Sequence, residues 1–516
     1  MSFFSHQPWM LSTLSPVHLG TGLDYEFTSY LIDDGVMYCF GESALFDALS
    51  PIQLAQISDY ADKGVAGLKS IHALLHTNRE VLKLHASHLV AIGEGVEQFY
   101  SKRKAGTDKD FNQMLLPKTA SEPFSGSPVL PGTALKGAIR TAWLDWKVHS
   151  KPQFALKNES RPLKILQQVT EFEKVDKDPF KTLRIADARA VNAQVHKKIV
   201  LFSSHDWIDA KKSKSARVGM VEAVAAGQVD AFEMDWRLWF NQDVKPPVED
   251  LTQLATLVNR FYLPILQEEL ARNAQTGYYA ESYASALSQL LHDHQLQQLM
   301  AQGQAMLLRL GRYSGAVSKT LNDHRKIKIL GQKGAPNQIK SLPHEQRLVV
   351  SGEKNVSGSE PFGWVLLVEQ GLTPAAVKMF AATLYDQDAQ LQKLAEVAAS
   401  QQHNREQYQL EQQQRLEREQ AYAAEQAAKA EKLAAMSDNQ QQMFGLQERM
   451  EKGESKGKGP SEKLWGDLRG LIQICDVWPA AERQQLLQLA KALVTHLGID
   501  LKKNKKAKEL VKQLEG

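Results

Sequence analysis

Cysteine is nearly absent from this 516-residue chain: Cys39 and Cys475 are the only two, and they lie far apart. Neither a disulfide framework nor a cysteine zinc cluster is supported, and a reducing compartment is the simple expectation. No apolar run approaches the roughly 18 residues that a membrane-spanning helix needs, and the N-terminus lacks a basic-then-apolar leader, which points to the cytoplasm. The sequence holds no phosphate-binding P-loop, no nucleophile elbow, no His-Glu-x-x-His pair and no dinucleotide fingerprint. A strong excess of one charge is missing too. With 62 Lys and Arg against 59 Asp and Glu the formal charge is +3, so any basic track must be local and offset elsewhere.

What is present is enough apolar material for more than one core, with 43% hydrophobic residues; at the usual domain size the length suggests two to four units. The most informative stretch is Val129 to Trp143. Pro131-Gly132 stops whatever precedes, Thr133 is read as an N-cap, and a helix begins that carries Lys136 and Arg140 four residues apart on one face. A helix start presents free amides and the positive end of its dipole, and two cations beside it would bracket a phosphate. Three other segments have matching chemistry. Pro16 to Gly22 includes His18, Gly20 and Gly22; Gly311-Arg312-Tyr313-Ser314-Gly315 follows the apolar run Met306 to Leu310; Ser357 to Trp364 precedes the run Val365 to Val368. Each is a glycine-bearing loop at a strand end, where a backbone can approach a sugar-phosphate chain closely.

Along the chain, Pro8 to Ser15 reads as a strand, and Ser29 to Phe40 as a hairpin with Asp33-Asp34-Gly35 in its turn. Residues 43–103 read as helices, Leu183 to Val191 as a return strand, and Ile199 to Phe202 and Arg217 to Glu233 as further strands. The link between the last two, Lys211-Lys212-Ser213-Lys214-Ser215, is either a solvated loop or an RNA-facing arm. Residues 248–302 are helical in period; the cluster Tyr278, Tyr279 and Tyr283 there either stacks bases or packs in a core. The stretch Lys319 to Lys340, with Arg325 and Lys326 in it, is the densest basic segment of the core and a second candidate phosphate track. Strands interleaved with helices, with glycine loops at strand ends, predict an α+β fold rather than a doubly wound one.

Leu14-Ser15-Pro16-Val17-His18-Leu19-Gly20-Thr21-Gly22, the hairpin Tyr30 to Tyr38, Leu130 to Thr141, Leu183-Arg184-Ile185-Ala186-Asp187 and the Gly311 to Gly315 loop together resemble the RAMP superfamily of CRISPR effector proteins. The chain looks most like the type III-A (Csm) backbone subunit that caps the guide RNA near its 3′ end. The resemblance spans roughly residues 8–370, and the Pro131 to Gly137 segment is its most specific part. It implies a ferredoxin-like, RRM-like core with helical insertions, a filament partnership with other type III CRISPR effector subunits, and binding of crRNA and of target RNA. No cofactor, metal or membrane is called for. His18, Gly20, Gly22, Thr133, Lys136, Arg140, Arg312, Tyr313, Ser314, Arg325 and Lys326 are the expected RNA contacts. Related subunits cut target RNA with a loop aspartate and a divalent metal; the corresponding alternative here is a metal-dependent endoribonuclease that cuts target or processes guide, with Asp24, Asp33 and Asp34 as its candidates. A third reading is a purely structural scaffold whose tail recruits another protein.

Domain boundaries follow from composition. Residues 1–370 form the core, with helical insertions near 43–103 and 248–302. Residues 371–444 form a long helix or spacer, starting at Thr373-Pro374 and free of glycine and proline until Gly445. Residues 445–463 are a flexible linker, Gly453 to Pro460 at its centre, and 464–516 a small helical module. In that module Lys502-Lys503-Asn504-Lys505-Lys506-Ala507-Lys508 is the strongest charge run, facing RNA, an acidic neighbour or water.

Overall fold

A computed structural model describes residues 4–515 except 27, 105, 108–113, 124, 151–166, 170–173, 193–194, 213–217, 241–242, 332–335, 353–356 and 386–388. Most of the basic 211–215 connection, and Lys333, lie outside the described residues. The chain divides into a first unit, residues 1–406, and a second, residues 407–516. It is a mixed helix and strand protein with many helices.

Strand alternation sets the first sheet. In Phe232–Trp239 the residues Phe232, Met234, Trp236 and Leu238 are buried while their neighbours are not, the period-two pattern of a half-buried strand. This strand pairs antiparallel with Phe4–Thr13, Trp9 opposite Met234, and Phe4–Thr13 pairs on its other side with Trp364–Glu369. The order across the sheet is Ala305–Arg309, Trp364–Glu369, Phe4–Thr13, Phe232–Trp239, Ala188–Ala190, Val129–Leu130, with Leu183–Ile185 also on Phe232–Trp239. The strands at 305–309 and 364–369, apolar except for Arg309 and Glu369 at their ends, are buried on both faces or nearly so. Leu135, Ile139 and Trp143 of Gly132–His149 and Leu254, Val258 and Phe261 of Leu251–Thr276 share one core with Trp9, Phe232 and Trp236. Asp250 caps the second helix, its carboxylate accepting from the Gln253 amide at 2.7 Å.

The second sheet runs Glu360–Pro361, Glu345–Val350, Lys197–Asp206, His88–Ile92, Val36–Cys39, Tyr30–Asp33, with Gly219–Val224 also on Lys197–Asp206. The hairpin Tyr30 to Cys39 has Asp33 opposite Val36, so Asp34-Gly35 is a two-residue turn as the sequence predicts. Residues 43–103, expected to be helical throughout, depart from that. Helices Glu42–Ala48, Pro51–Ala61, Gly64–Thr77 and Arg79–Leu84 are followed by the strand His88–Ile92 before Val96–Lys104. His88–Ile92 pairs parallel with Lys198 and Ile199 and antiparallel with Val36–Cys39. A five-residue apolar run has too little length to show its period, and a sheet neighbour more than 100 residues away decides it. The segment 248–302 does hold three helices, Leu251–Thr276, Glu281–Leu291 and His294–Ala301.

Beyond the sheets, Ala375–Tyr385 is followed by Ala389–Ala434 and Asp438–Glu451. Leu391 and Leu394 are buried against Val36, Tyr38 and Ala91, and Arg405 donates to the Leu84 and Ala86 carbonyls. From 407 to 434 side chains are mostly exposed, Leu410, Leu416 and Tyr422 among them. In the second unit Met443, Leu446, Trp465, Leu468, Leu486, Leu493 and Val511 build a core from helices Asp438–Glu451, Lys463–Ile474, Ala480–His496 and Lys505–Glu515. Where a free linker is expected, the chain is fastened: the amides of Gly457 and Gly459 donate to the carbonyls of His496 and Leu497, both at 2.9 Å. The glycines there bend the backbone through positive φ, a use of glycine that composition cannot tell from flexibility. Among the described residues no helix is long and apolar enough to cross a membrane.

Candidate nucleic-acid interface

The start of Gly132–His149 is occupied by the protein itself. Pro131, not Thr133, is the N-cap residue; Thr133 is exposed one position inside the helix. The Gly132 amide donates to a carboxylate oxygen of Asp187 at 2.7 Å, so an internal anion already satisfies the free end. The approach is close enough that a Cβ on Gly132 would sit 2.4 Å from the Ile185 carbonyl oxygen. Lys136 Nζ donates to the Leu183 carbonyl at 2.7 Å, and burial, reinforced by Arg140 and Arg184, pushes its pKa down. Arg140 pairs with Asp178 and lies 4.7 Å from the Phe180 ring centre. The bracket for an outside phosphate expected at Thr133, Lys136 and Arg140 is therefore corrected: Lys136 and Arg140 clamp the helix to the 178–187 segment, and Thr133 stays exposed beside them. Asp178 and Asp187 stand 38 and 55 residues further along the chain, beyond the reach of local spacing.

The glycine loops, by contrast, do meet. The Gly363 amide donates to the Pro16 carbonyl at 2.9 Å and the Arg312 amide to the His18 carbonyl at 3.0 Å. Gly311 has φ +90°, and a Cβ there would lie 2.4 Å from the His18 carbonyl oxygen, so this contact requires glycine. His18 is buried, its Nδ1 2.7 Å from the Glu222 carbonyl oxygen. That partner makes Nδ1 the protonated nitrogen of a neutral ring, and burial holds the pKa below its ordinary 6.5. The ring stacks on Tyr313, centres 5.5 Å apart. Tyr313 also packs against Phe202 at 4.7 Å and Phe362 at 5.1 Å. Over this aromatic floor stand two exposed guanidinium groups: Arg347 is 5.2 Å from the Tyr313 ring and 5.6 Å from Phe202, and Arg312 is 5.9 Å from Tyr313.

Other residues brace that floor. Ser314, expected to touch RNA, is fully buried and donates to the Gly311 carbonyl at 2.8 Å, which makes it a loop strut. Lys319 Nζ donates to the Arg312 carbonyl at 3.3 Å, tying the basic segment to the same loop. Arg309 donates to the Phe362 carbonyl at 2.9 Å and is paired with the buried Glu269 at 2.8 Å. Gly20 and Gly22 lie exposed on Gly20–Tyr25, an outlying strand paired with Leu116–Thr119. Arg325 donates to Asn322, and Lys326 is exposed just before the small hairpin of Ile327–Ile329 and Gln338–Lys340. Tyr278, Tyr279 and Tyr283 are buried in the main core, which excludes them as stacking platforms. A cavity of about 780 Å³ borders Pro16, Lys198, Gln228, Gly358 and Glu360.

The three aspartates of the cutting alternative are separated by role. Asp33 and Asp34 share Lys83, at 2.7 and 2.9 Å, and Asp33 also meets Arg79 at 3.2 Å. Asp24 is exposed on the Gly20–Tyr25 strand. Among the described residues no three His, Cys, Asp or Glu side chains gather so as to hold a metal ion.

Sequence reasoning missed Arg347, Phe202, Glu269 and Arg309. The only local signal for Arg347 is alternation in Glu345–Val350, which puts it on the face opposite Leu348; nothing in the sequence names the ring beneath it.

Residues 10–246 match the family model described as RAMPs, RAMP superfamily. A curated relative from Methanocaldococcus jannaschii, named CRISPR system Cms protein Csm5, is 25% identical over 394 residues, covering 68% of this chain and 86% of its own. Among solved structures, a chain of a cryo-EM Csm-crRNA-target RNA ternary complex of a type III-A CRISPR-Cas system is 18% identical, with 70% of this chain and 100% of that chain covered and a TM-score of 0.46. The crystal structure of T. onnurineus Csm5 gives 15% identity, coverage of 70% and 99%, and a TM-score of 0.43. Over residues 10–246 this chain is thus similar to the RAMP superfamily.

Proposed function

We propose that this chain is a non-catalytic, crRNA-binding backbone subunit of a type III CRISPR ribonucleoprotein, capping the assembly near the guide 3′ end. Its partners in this reading are crRNA, target RNA and the other effector subunits, its compartment is the cytoplasm, and its service is antiviral defence. The observation that carries the proposal is the pair of exposed cations, Arg312 on the 311–315 loop and Arg347 on the Glu345–Val350 strand, held over the Tyr313 and Phe202 rings. Guanidinium groups bind phosphate oxygens without reading bases, and the largely buried rings beneath them fix where the two cations stand. Sequence would be read by base pairing, as in RNA-guided systems generally.

The RAMP superfamily match over residues 10–246 and the 25% identical Csm5 relative support the reading. A ferredoxin-like core belongs to it as well; in that fold a central parallel strand pair is flanked by antiparallel neighbours, and the order Glu345–Val350, Lys197–Asp206, His88–Ile92, Val36–Cys39 has this pattern. The division into a core to 370, a helical spacer and a helical C-terminal module is part of the same proposal. With Asp33 and Asp34 engaged by Lys83, no catalytic role is assigned to the aspartates.

The test is RNA binding by the purified chain carrying Arg312→Glu and Arg347→Glu. Each should weaken binding equally for unrelated sequences and lower the slope of log affinity against log salt by about 0.7 per lost phosphate contact on a single strand. Unchanged affinity of the double variant at moderate salt would sink the assignment.

A further inference from the structure

In the second unit, two lysine-bearing segments far apart in sequence are brought together. The turn Gly453 to Gly459 is pinned to the end of helix Ala480–His496 by the Gly457 and Gly459 amides, and the backbone of Gly457 comes within 3.5 Å of the Cβ position of Gly498. Lys456 and Lys458 on this turn are exposed. Gly498 leads within a few residues into Lys502 and then into helix Lys505–Glu515. That helix buries Ala507 and Val511, with Leu510 and Leu514 partly buried against the same core. At 3.6 residues per turn, Lys505, Lys508 and Lys512 fall within about 60° of one another on the opposite side, along about 10 Å of helix.

Lys491 of the neighbouring helix pairs with Glu515 at 2.7 Å, and Lys503 lies 4.0 Å from Asp500. Among the described residues no ion pair involves Lys456, Lys458, Lys502, Lys505, Lys508 or Lys512. The surface thus carries six exposed ammonium groups outside any ion pair, against three acids: Asp500, whose carboxylate accepts from the Lys502 amide at 2.9 Å, and Glu509 and Glu515 on the terminal helix.

We infer that this cluster is a second polynucleotide-binding surface, taking the phosphate chain of single-stranded RNA without sequence preference. The identity of the polyanion as RNA rests on the function proposed above. A bilayer is a poor occupant, since the apolar side of Lys505–Glu515 is consumed by the core and an interfacial helix needs that side for the acyl boundary. An acidic protein is a poor occupant too, because protein interfaces are depleted in lysine and enriched in aromatic and arginine residues, and the cations here are all lysines with no aromatic among them. Lysine binds phosphate as a point charge, which suits a backbone contact that carries no base information.

The experiment uses the full chain and a labelled single-stranded RNA of mixed sequence, comparing wild type with the triple variants Lys505→Glu, Lys508→Glu, Lys512→Glu and Lys505→Gln, Lys508→Gln, Lys512→Gln. Loss of three contacts at about 0.7 each lowers the salt slope by about 2, so the affinity advantage of the wild type should shrink roughly 20-fold when salt is raised fourfold. Photo-crosslinking, mapped by peptide, separates this surface from the loop site. Crosslinks at 456–458 and 502–512 that vanish in the variants while those at 311–315 persist support the inference. Tail crosslinks without any at 311–315 support it and sink the loop assignment instead. Wild-type affinity and slope in both triple variants, with crosslinks only at 311–315, overturn it; so does binding of polyglutamate, but not RNA, through these lysines.

Discussion

Lys83 illustrates how one residue settles the fate of two others. Its side chain is only 11% exposed and meets both Asp33 and Asp34 in the turn of the Tyr30 to Cys39 hairpin. Burial pushes the Asp33 carboxyl up, but the Lys83 hydrogen bond and the Lys83 and Arg79 charges outweigh it and hold the pKa below the ordinary 3.8. A carboxyl with a depressed folded pKa stabilises fully above its unfolded value and loses that contribution as pH falls through the folded one. Lys83→Met should therefore cost about 1–3 kcal/mol at neutral pH, read as a lower denaturation midpoint, and the gap to wild type should narrow as the pH drops below about 4. A gap that stays constant down to pH 2 would refute the pairing as its source. The turn-forming role of Asp33 and Asp34 was legible in the sequence from Asp-Gly chemistry; their partner was not, since Lys83 lies on a helix some 50 residues on.

Loops and helices show the same division one level up. The glycine loops were visible as loops, and that they converge follows from strand pairings of very long range, such as Thr13 opposite Val365. Gly311 is where that convergence is tightest. Gly311→Ala places a Cβ against the His18 carbonyl at a positive φ, and the strain, about 1–3 kcal/mol, should lower stability and weaken RNA binding by displacing Arg312. Gly315 also has positive φ, +79°, but open space where its Cβ would be. Gly315→Ala should cost about 1 kcal/mol from backbone conformation alone and leave RNA affinity close to wild type. Equal losses in the two variants, measured by thermal melts and RNA titration, would contradict the contact. The helix Gly132–His149 carries the opposite lesson: its position was plain from Pro131-Gly132 and the four-residue spacing of Lys136 and Arg140, yet the anion it holds is Asp187 of the same chain.

For the molecule as a whole, two units with separate cores are joined in sequence by a helix whose residues 407–434 are mostly exposed. Arg415 and Arg418 lie on that exposed stretch. Limited trypsin digestion should cut there first and leave two resistant fragments, because cleavage follows local opening and a helix with little buried apolar area opens at low cost. Early cuts inside 463–512, despite its many lysines, would show that the core of Trp465, Leu468, Leu486 and Leu493 is less secure than its burial indicates.

Much was settled by sequence alone: the hairpin at 30–39 and the helices around 251–301, because turn chemistry and side-chain period act over a few residues; the strand expected at 217–233 instead breaks into Gly219–Val224 and Phe232–Trp239. The same locality limited it. The short run His88–Ile92 shows no period of its own, and a sheet partner made it a strand. Whether Lys136, Arg140, Arg312 or Arg347 offers its charge outward depends on which carboxylate, carbonyl or ring the folded chain brings against it. Coulomb attraction and burial act through space over a few ångströms, and the residues that supply them lie tens to hundreds of positions away, so that choice was made only by the tertiary structure.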